Sequence, residues 1–188
     1  LAFIDESPSP FHAVLTAERR LKQRGYTNLD EGDSWRLQPS GRYYVKRGGG
    51  SLIAFWTGSD PTVEAGVRLV GAHTDSPNIR LKPRLAKSAH KHLLLDIEPY
   101  GGLLIATWAD RDLGLAGRVI IREEGQYRHQ LVRIDEAICR IPNLAIHLNR
   151  TVNDKGLVLN KHTHLNPVAG SWDREGSPSA FMSEWLAE

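Results

Sequence analysis

The sequence predicts an α/β fold that is interrupted by a β-rich module. Three observations indicate it: a helical pattern near the start, a nearly continuous apolar run over residues 67–72, and short β-like runs after Pro83. An apolar run such as residues 67–72 is typical of a strand buried on both faces of an α/β sheet. Several short strands at close spacing favour a compact β module. We expect the boundary between the two parts within residues 83–89.

The first elements follow from local signals. Residues 9–24 carry apolar side chains at a period near 3.6 and are followed by Gly25, so they predict a helix. Short strands are predicted over residues 35–37, 41–47 and 51–56. The glycine triplet at 48–50 joins the last two as a hairpin. No Gly-Lys-Ser/Thr follows the triplet and it leads into a strand, which favours a turn over a phosphate-binding loop.

Beyond Pro83, β-like runs are predicted over residues 92–98, 103–108, 117–122 and 127–134. Residues 144–148 suggest an extended or short helical segment, residues 151–177 a long polar loop, and residues 179–188 the start of a helix. We therefore expect three parts. Residues 1–85 begin the α/β domain, residues 86–175 form the inserted β-rich module, and residues 176–188 start a helix that returns toward the first domain.

Composition limits the classes of function. The hydrophobic and charged fractions, 40% and 24%, are those of an ordinary soluble globular protein. The net charge is +2 and the basic residues are scattered, so no nucleic-acid partner is expected. No apolar stretch approaches the roughly 20 residues that span a bilayer, and no signal peptide opens the chain, so no membrane partner is expected. The single cysteine, Cys139, fits a reducing, cytoplasmic location and is expected to be structural.

The most specific motif is His73-Thr74-Asp75, which directly follows the apolar run. On an extended backbone, side chains two residues apart point to the same side of the chain. An imidazole beside a carboxylate suits a transition-metal ligand and the acidic group that orients it. The alternative is a hydrogen-bonded His–Asp pair at a strand end. One histidine and one aspartate cannot hold a metal alone.

The other histidines carry weaker signals. His147 lies in the apolar segment 144–148, so we expect it to be buried, and a buried imidazole requires a partner or a function. His12 is expected to be solvated in the first helix. The remaining histidines favour surface or loop positions over metal sites: His90, His92, His129, His162 and His164.

Several segments resemble one family of enzymes. Gly71-Ala-His-Thr-Asp-Ser-Pro77, with Lys82-Pro83, resembles the metal-site segment of aspartyl aminopeptidases, which are exopeptidases with two cocatalytic metal ions. Residues 3–13 resemble the opening helix of that family, residues 100–102 and 108–119 the core of its inserted domain, and residues 141–150 the segment that carries an inter-subunit histidine. These segments occur in family order, whereas residues 153–188 match only loosely.

The resemblance implies an α/β catalytic domain interrupted by a β-rich dimerisation domain. It implies that His73 is a zinc ligand, that Asp75 is the catalytic acidic group orienting that ligand, and that His147 touches substrate in the neighbouring subunit's active site. The implied cofactor is zinc, two ions per complete site, with manganese or cobalt as substitutes. The implied partners are peptides with a free N-terminal residue, preferably Asp or Glu, and further copies of the chain, in a dimer-based homo-oligomer as large as a dodecamer.

The resemblance also places a bridging aspartate, a glutamate pair, a further aspartate and a last histidine beyond Glu188. We therefore expect a truncated chain that is inactive alone. We also expect low solubility, because Trp56, Val67, Leu69 and Val70 would lack neighbouring elements. Two alternatives stay open: a non-catalytic fragment acting only as a dimerisation or assembly module, and a related metal-dependent amidohydrolase.

Overall fold

The computed structural model describes residues 1–59 and 66–187. Within these residues there are four α-helices, one 3-10 helix at Ile105–Trp108 and eight strands. The helices are α1 (Ala2–Asp5), α2 (Pro10–Gln23), α3 (Val152–Lys155) and α4 (Pro178–Trp185). The strands are β1 (Thr27–Asn28), β2 (Arg42–Arg47), β3 (Ser51–Trp56), β4 (Asn78–Ala89), β5 (His92–Tyr100), β6 (Asp112–Glu123), β7 (Gln126–Arg140) and β8 (Val168–Ser171). None of the helices in the described part of the chain is both long and apolar enough to cross a bilayer.

The backbone divides into two compact units. The first contains Leu1–Ser76 and Ala116–Val132, and the second contains Pro77–Leu115 and Arg133–Glu188. Strand β4 continues without interruption through the boundary that the sequence suggests between residues 85 and 86. The assignment of residues 1–85, 86–175 and 176–188 to functional domains remains a prediction.

Helix α2 has the end signals that its sequence predicts. Ser9 caps its start by accepting a hydrogen bond from the backbone N–H of His12 at 3.4 Å, and Pro10 occupies the first turn. At the other end, Gly25 adopts a φ of 78°. The N–H groups of Gly25 and Tyr26 then donate to the carbonyls of Lys22 and Leu21, which is the Schellman arrangement.

The first unit has a three-stranded sheet covered by α2. The order is β1-β2-β3, with β1 parallel and β3 antiparallel to β2. Helix α2 packs against β2 and β3 and buries Ala13 and Val14 against a sheet whose buried residues include Tyr44 and Val45. His12 is buried too, with Nδ1 2.7 Å from Ser9 Oγ. The expectation of a solvated His12 is therefore wrong, because the capping hydroxyl gives the buried ring a polar partner.

A five-stranded sheet has the order β4-β5-β8-β7-β6, and its strands β4, β5 and β8 lie wholly in the second unit. Strands β4 and β5 are antiparallel, with a register shift between Leu81 and Ala86. Helix α4 packs on β4, where Ser179 Oγ accepts a hydrogen bond from the Leu85 N–H at 3.0 Å. The core of the unit contains Ala86, Leu93, Leu95, Ile97, Ile141, Leu165, Trp172 and Met182. The β-rich character predicted after Pro83 is confirmed by β4–β8.

The apolar run at residues 67–72 is the largest departure from prediction. It forms no strand: residues 66–73 have no regular secondary structure, and Val67, Leu69 and Val70 are 90%, 87% and 96% exposed. The expectation of a buried strand is wrong for this structure. A strand needs a neighbour for its backbone hydrogen bonds, and no strand among the described residues pairs with this run.

Three smaller expectations are also corrected. Residues 35–37 form no strand, and Trp35 Nε1 instead donates to the Asp30 carbonyl at 2.6 Å. Residues 103–108, predicted as a strand, contain the 3-10 helix. The predicted loop at 151–177 contains α3 and β8. The helix predicted from residue 179 is confirmed as α4, and Glu188 lies outside the described residues.

Candidate functional site

His73 and Asp75 lie together on the surface of the first unit. His73 Nδ1 is 2.6 Å from the backbone oxygen of Asp75 and 3.5 Å from its carboxylate Oδ1. Because both oxygens are acceptors, this contact favours the tautomer with the proton on Nδ1. Nε2 then keeps its lone pair, and the imidazole side chain is 80% exposed. The arrangement is that of a histidine whose second nitrogen is oriented for a metal ion.

Thr74 connects this segment to the β2–β3 hairpin. Its Oγ1 donates to the Gly50 carbonyl at 2.9 Å. Gly50 ends a three-residue turn in which Gly48 and Gly49 have φ values of 58° and 71°, a region that favours glycine. The turn predicted for the glycine triplet is thus confirmed, and it also provides the acceptor for Thr74.

Arg118 also contacts the turn at residues 48–50. Its Nη1 donates to the Gly48 carbonyl at 2.7 Å, and its guanidinium carbon lies 4.0 Å from the centre of the Phe11 ring. A Cβ on Gly49 would lie 3.4 Å from Arg118 Nη1. We define Gly48, Gly49 and Gly50 as the glycine turn. The contacts of Thr74 and Arg118 could not be predicted from the sequence, because no local pattern links residues 24 and 70 positions apart.

The geometry of His73 and Asp75 is compatible with one metal ligand and its orienting group. Structural and catalytic zinc sites use three or four protein ligands, drawn from imidazole, thiolate and carboxylate groups. No group of three or more His, Cys, Asp and Glu side chains suited to a metal occurs among residues 1–59 and 66–187. His73 therefore fits zinc as a single ligand, and the described residues do not complete a site.

His147 is placed differently from its prediction. It belongs to the second unit and is exposed, on a turn in which the Leu148 and Asn149 N–H groups donate to the Ala145 carbonyl. The expectation of burial is wrong, because the apolar neighbours Leu144 and Leu148 are exposed as well. An apolar local sequence does not bury a residue when its segment forms a surface turn.

The other histidine pairs have ordinary structural partners. His90 lies in the β4–β5 turn, and its carbonyl is 2.7 Å from His92 Nδ1. His164 Nδ1 accepts from the Asn160 N–H at 3.1 Å. The Asn160 side chain in turn accepts from the backbone of His162. These turn contacts explain why His90 and His92, and likewise His162 and His164, lie two residues apart without a metal site within the residues that the structure describes.

The carboxylates of Asp110 and Asp112 and the thiol of Cys139 have ordinary structural surroundings as well. Asp112 pairs with Arg140 at 2.9 Å, and Asp110 accepts from the Asn143 N–H at 3.2 Å, so the two carboxylates do not form an acid–base pair. Burial raises the pKa of the Cys139 thiol to about 11, which keeps it protonated and unreactive near neutral pH.

Comparison with known proteins identifies the family. The profile of the Aminopeptidase I zinc metalloprotease (M18) family matches residues 3–182. The chain belongs to the M18 family. This confirms the resemblance to aspartyl aminopeptidases. The M18 chain is 46% identical over 189 residues to "Probable M18 family aminopeptidase 2" of Pseudomonas entomophila (strain L48), an alignment that covers 100% of this chain and 44% of that protein.

Solved structures of similar proteins agree with the fold. A chain in the "Cryo-EM structure of the Ape4 and Nbr1 complex" matches with a TM-score of 0.87 and 39% identity, over 92% of this chain and 33% of the other. The S. cerevisiae mApe1 dodecamer matches with a TM-score of 0.70 and 26% identity, over 95% of this chain and 49% of the other. The mixed α/β aminopeptidase fold is thereby confirmed. The M18 chain spans less than half the length of each of these proteins.

Proposed function

We propose that the M18 chain contributes to a zinc-dependent aminopeptidase that removes N-terminal residues from peptides, with a preference for Asp and Glu. The observation that carries the proposal is the exposed His73 imidazole, with Nδ1 held by Asp75 and Nε2 left open. The family match supports zinc and peptide hydrolysis. The single cysteine supports a cytoplasmic location.

In this proposal His73 Nε2 is a ligand of one of two zinc ions, and Asp75 orients the ring and supports catalysis. Bound zinc ions would polarise the scissile carbonyl and lower the pKa of a water molecule. The contact of His73 Nδ1 with the Asp75 carbonyl orients the ring, which leaves Nε2 accessible to a metal ion. The other ligands would come from outside the described residues.

We further propose that His147 touches substrate in the active site of a neighbouring subunit. Its exposure on a surface turn supports this, since a residue that acts on another copy of the chain must be accessible. The dodecameric assembly of one structural neighbour supports a homo-oligomer. A dimer is the smallest assembly in which the proposed role is possible.

One observation favours a second function for these 188 residues on their own. The described residues contain no three-donor metal cluster, so the isolated chain is expected to act only as an assembly module. Measuring the zinc content of the isolated chain decides between a metal-binding function and an assembly function. Tight, stoichiometric zinc binding would contradict the assembly function.

The proposed activity is tested on the whole protein with a panel of N-terminal amino-acid anilides and N-acyl amino acids. We expect hydrolysis of the Asp and Glu anilides, loss of activity with a chelator, and recovery on adding zinc, manganese or cobalt. Hydrolysis of N-acyl amino acids alone would support the amidohydrolase alternative instead. Activity that a chelator leaves unchanged would refute the metal mechanism.

The residue assignments are tested with matched histidine variants. His73→Ala should lower both zinc content and activity, whereas His129→Gln, at an exposed position on β7, should change neither. His147→Phe should lower turnover and leave zinc content intact. Unchanged turnover in His147→Phe would refute its role across the subunit interface.

A further inference from the structure

We propose that Thr74 is a positioning residue for His73, acting through its hydrogen bond to the Gly50 carbonyl. The inference rests on the proposed function of His73 as a zinc ligand. It concerns how the ligand is held in place, which neither the motif nor the family match specifies. The 2.9 Å contact between Thr74 Oγ1 and Gly50 is the observation on which it depends.

The described residues just before Thr74 are irregular and exposed. Residues 66–73 have no regular secondary structure, and the side chains just before the motif are exposed. Neither backbone pairing nor apolar burial therefore defines the position of this stretch in the described structure. The Thr74 hydrogen bond ties it to a residue 24 positions earlier in the chain.

The acceptor of this hydrogen bond belongs to a well-supported element. Strands β2 and β3 pair without a register shift from Arg42↔Trp56 to Arg47↔Ser51, and the glycine turn closes the hairpin. Arg118 donates to Gly48 in that turn and stacks on Phe11 of helix α2. A Cβ on Gly50 would lie 3.5 Å from the Phe11 ring, so the turn already packs against the helix.

The position of Thr74 within the motif explains why this contact affects metal binding. Thr74 lies directly between His73, the proposed ligand, and Asp75, whose carbonyl contacts His73 Nδ1. Fixing its hydroxyl fixes the backbone on which His73 and Asp75 are both mounted. Metal ligands must be held within about 0.5 Å of their productive geometry, and side chains on irregular segments reach that precision only with a supporting contact.

The test compares Thr74→Val, which keeps the shape and removes the hydroxyl, with Thr74→Ser, which keeps the hydroxyl. Both are made in the whole protein, and zinc affinity is measured by competition with a chromophoric chelator. We expect Thr74→Val to weaken zinc binding roughly two- to tenfold, the effect of one net hydrogen bond, and Thr74→Ser to bind like the wild type. Because Thr74 is exposed, both variants should fold, which circular dichroism checks.

A spectroscopic readout separates positioning from a general loss of stability. In the Co²⁺-substituted protein, displacement of one ligand should change the visible absorption bands of Thr74→Val but not those of Thr74→Ser. Equal zinc affinity in Thr74→Val and wild type would overturn the inference. Equal weakening in both variants would overturn it as well, because the hydroxyl would then not be the cause.

A third variant keeps this result distinct from the proposed function. If His73→Ala loses zinc while Thr74→Val binds it normally, the positioning role fails and the proposed ligand stands. If His73→Ala binds zinc as tightly as the wild type, the proposed ligand fails, and the positioning inference fails with it.

Discussion

The Glu18 carboxylate accepts a hydrogen bond from the Tyr44 hydroxyl at 2.9 Å, which joins helix α2 to strand β2 inside the first unit. The Lys22 and Lys46 ammonium groups lie 2.9 Å and 2.8 Å from the same carboxylate. Burial by itself would raise the pKa of Glu18, but the hydrogen bonds from Lys46, Lys22 and Tyr44 outweigh it and lower the pKa to about 2. The folded first unit therefore favours the ionised carboxylate.

This pKa predicts acid-sensitive packing of α2 on the sheet. Because the folded pKa lies below the ordinary value of 4.5, the contribution of Glu18 is complete above pH 4.5 and is lost as the pH falls toward about 2. At pH 7, Glu18→Gln should lower the free energy of unfolding by about 1.5–3 kcal/mol, the range for hydrogen bonds to charged groups. Urea unfolding of the whole protein, followed at pH 7 and pH 3, measures the difference.

The matched control is Glu31→Gln. Glu31 also binds a basic side chain, with Arg47 Nη2 at 2.6 Å, but this pair is exposed. Exposed ion pairs contribute about 0–1 kcal/mol, so this variant should unfold nearly as the wild type does. A destabilisation by Glu18→Gln that stayed the same at pH 3 would contradict the pKa argument.

The elements predicted correctly share one property: their signals are local. Helix α2 is defined at its ends by Ser9, Pro10 and Gly25, and the β2–β3 hairpin is defined by the glycine turn. Each of these signals lies within a few residues of the element that it determines. His73 and Asp75 meet for the same reason, since they are two residues apart. Local geometry of this kind does not depend on which other segments surround it.

The predictions that failed required knowledge of distant partners. An apolar run predicts burial only if another element covers it, and residues 67–72 and 144–148 are exposed in this structure. His12 shows the converse, because its buried ring depends on packing of α2 against the sheet that no local pattern reveals. The contact of Thr74 with Gly50 and the contact of Arg118 with Gly48 are likewise non-local.

Two glycines in β6 provide a sharp test of backbone packing. A Cβ on Gly114 would collide with the Ile134 carbonyl of the neighbouring strand, whereas a Cβ on Gly117 would meet nothing within 4 Å. Neither glycine has a positive φ, so conformational strain does not separate them. Gly114→Ala should therefore force the strands apart and lower the melting temperature.

Gly117→Ala is the control and should melt close to the wild type, since alanine fits there without displacing backbone. Differential scanning fluorimetry of both variants in the whole protein makes the comparison. Equal melting temperatures for Gly114→Ala and Gly117→Ala would contradict the close approach of the Ile134 carbonyl. A shift confined to Gly114→Ala would confirm it.

The exposed side chains of Val67, Leu69 and Val70 form an apolar strip that should make the isolated 188-residue chain associate. Contiguous apolar surface of this kind promotes association between copies, because contact removes it from water. Substituting all three, as Val67→Thr, Leu69→Asn and Val70→Thr, should lower the apparent mass measured by sedimentation velocity and reduce binding of a hydrophobic dye.

Val158→Thr is the control for the apolar strip, because Val158 is comparably exposed but lies in the second unit. It should leave both the association and the dye binding unchanged. If the unmodified chain sediments as a monomer at every concentration tested, the prediction is wrong. If the chain associates and the triple variant associates equally, another surface drives the contact, and the exposure of residues 67–70 is not the cause of low solubility.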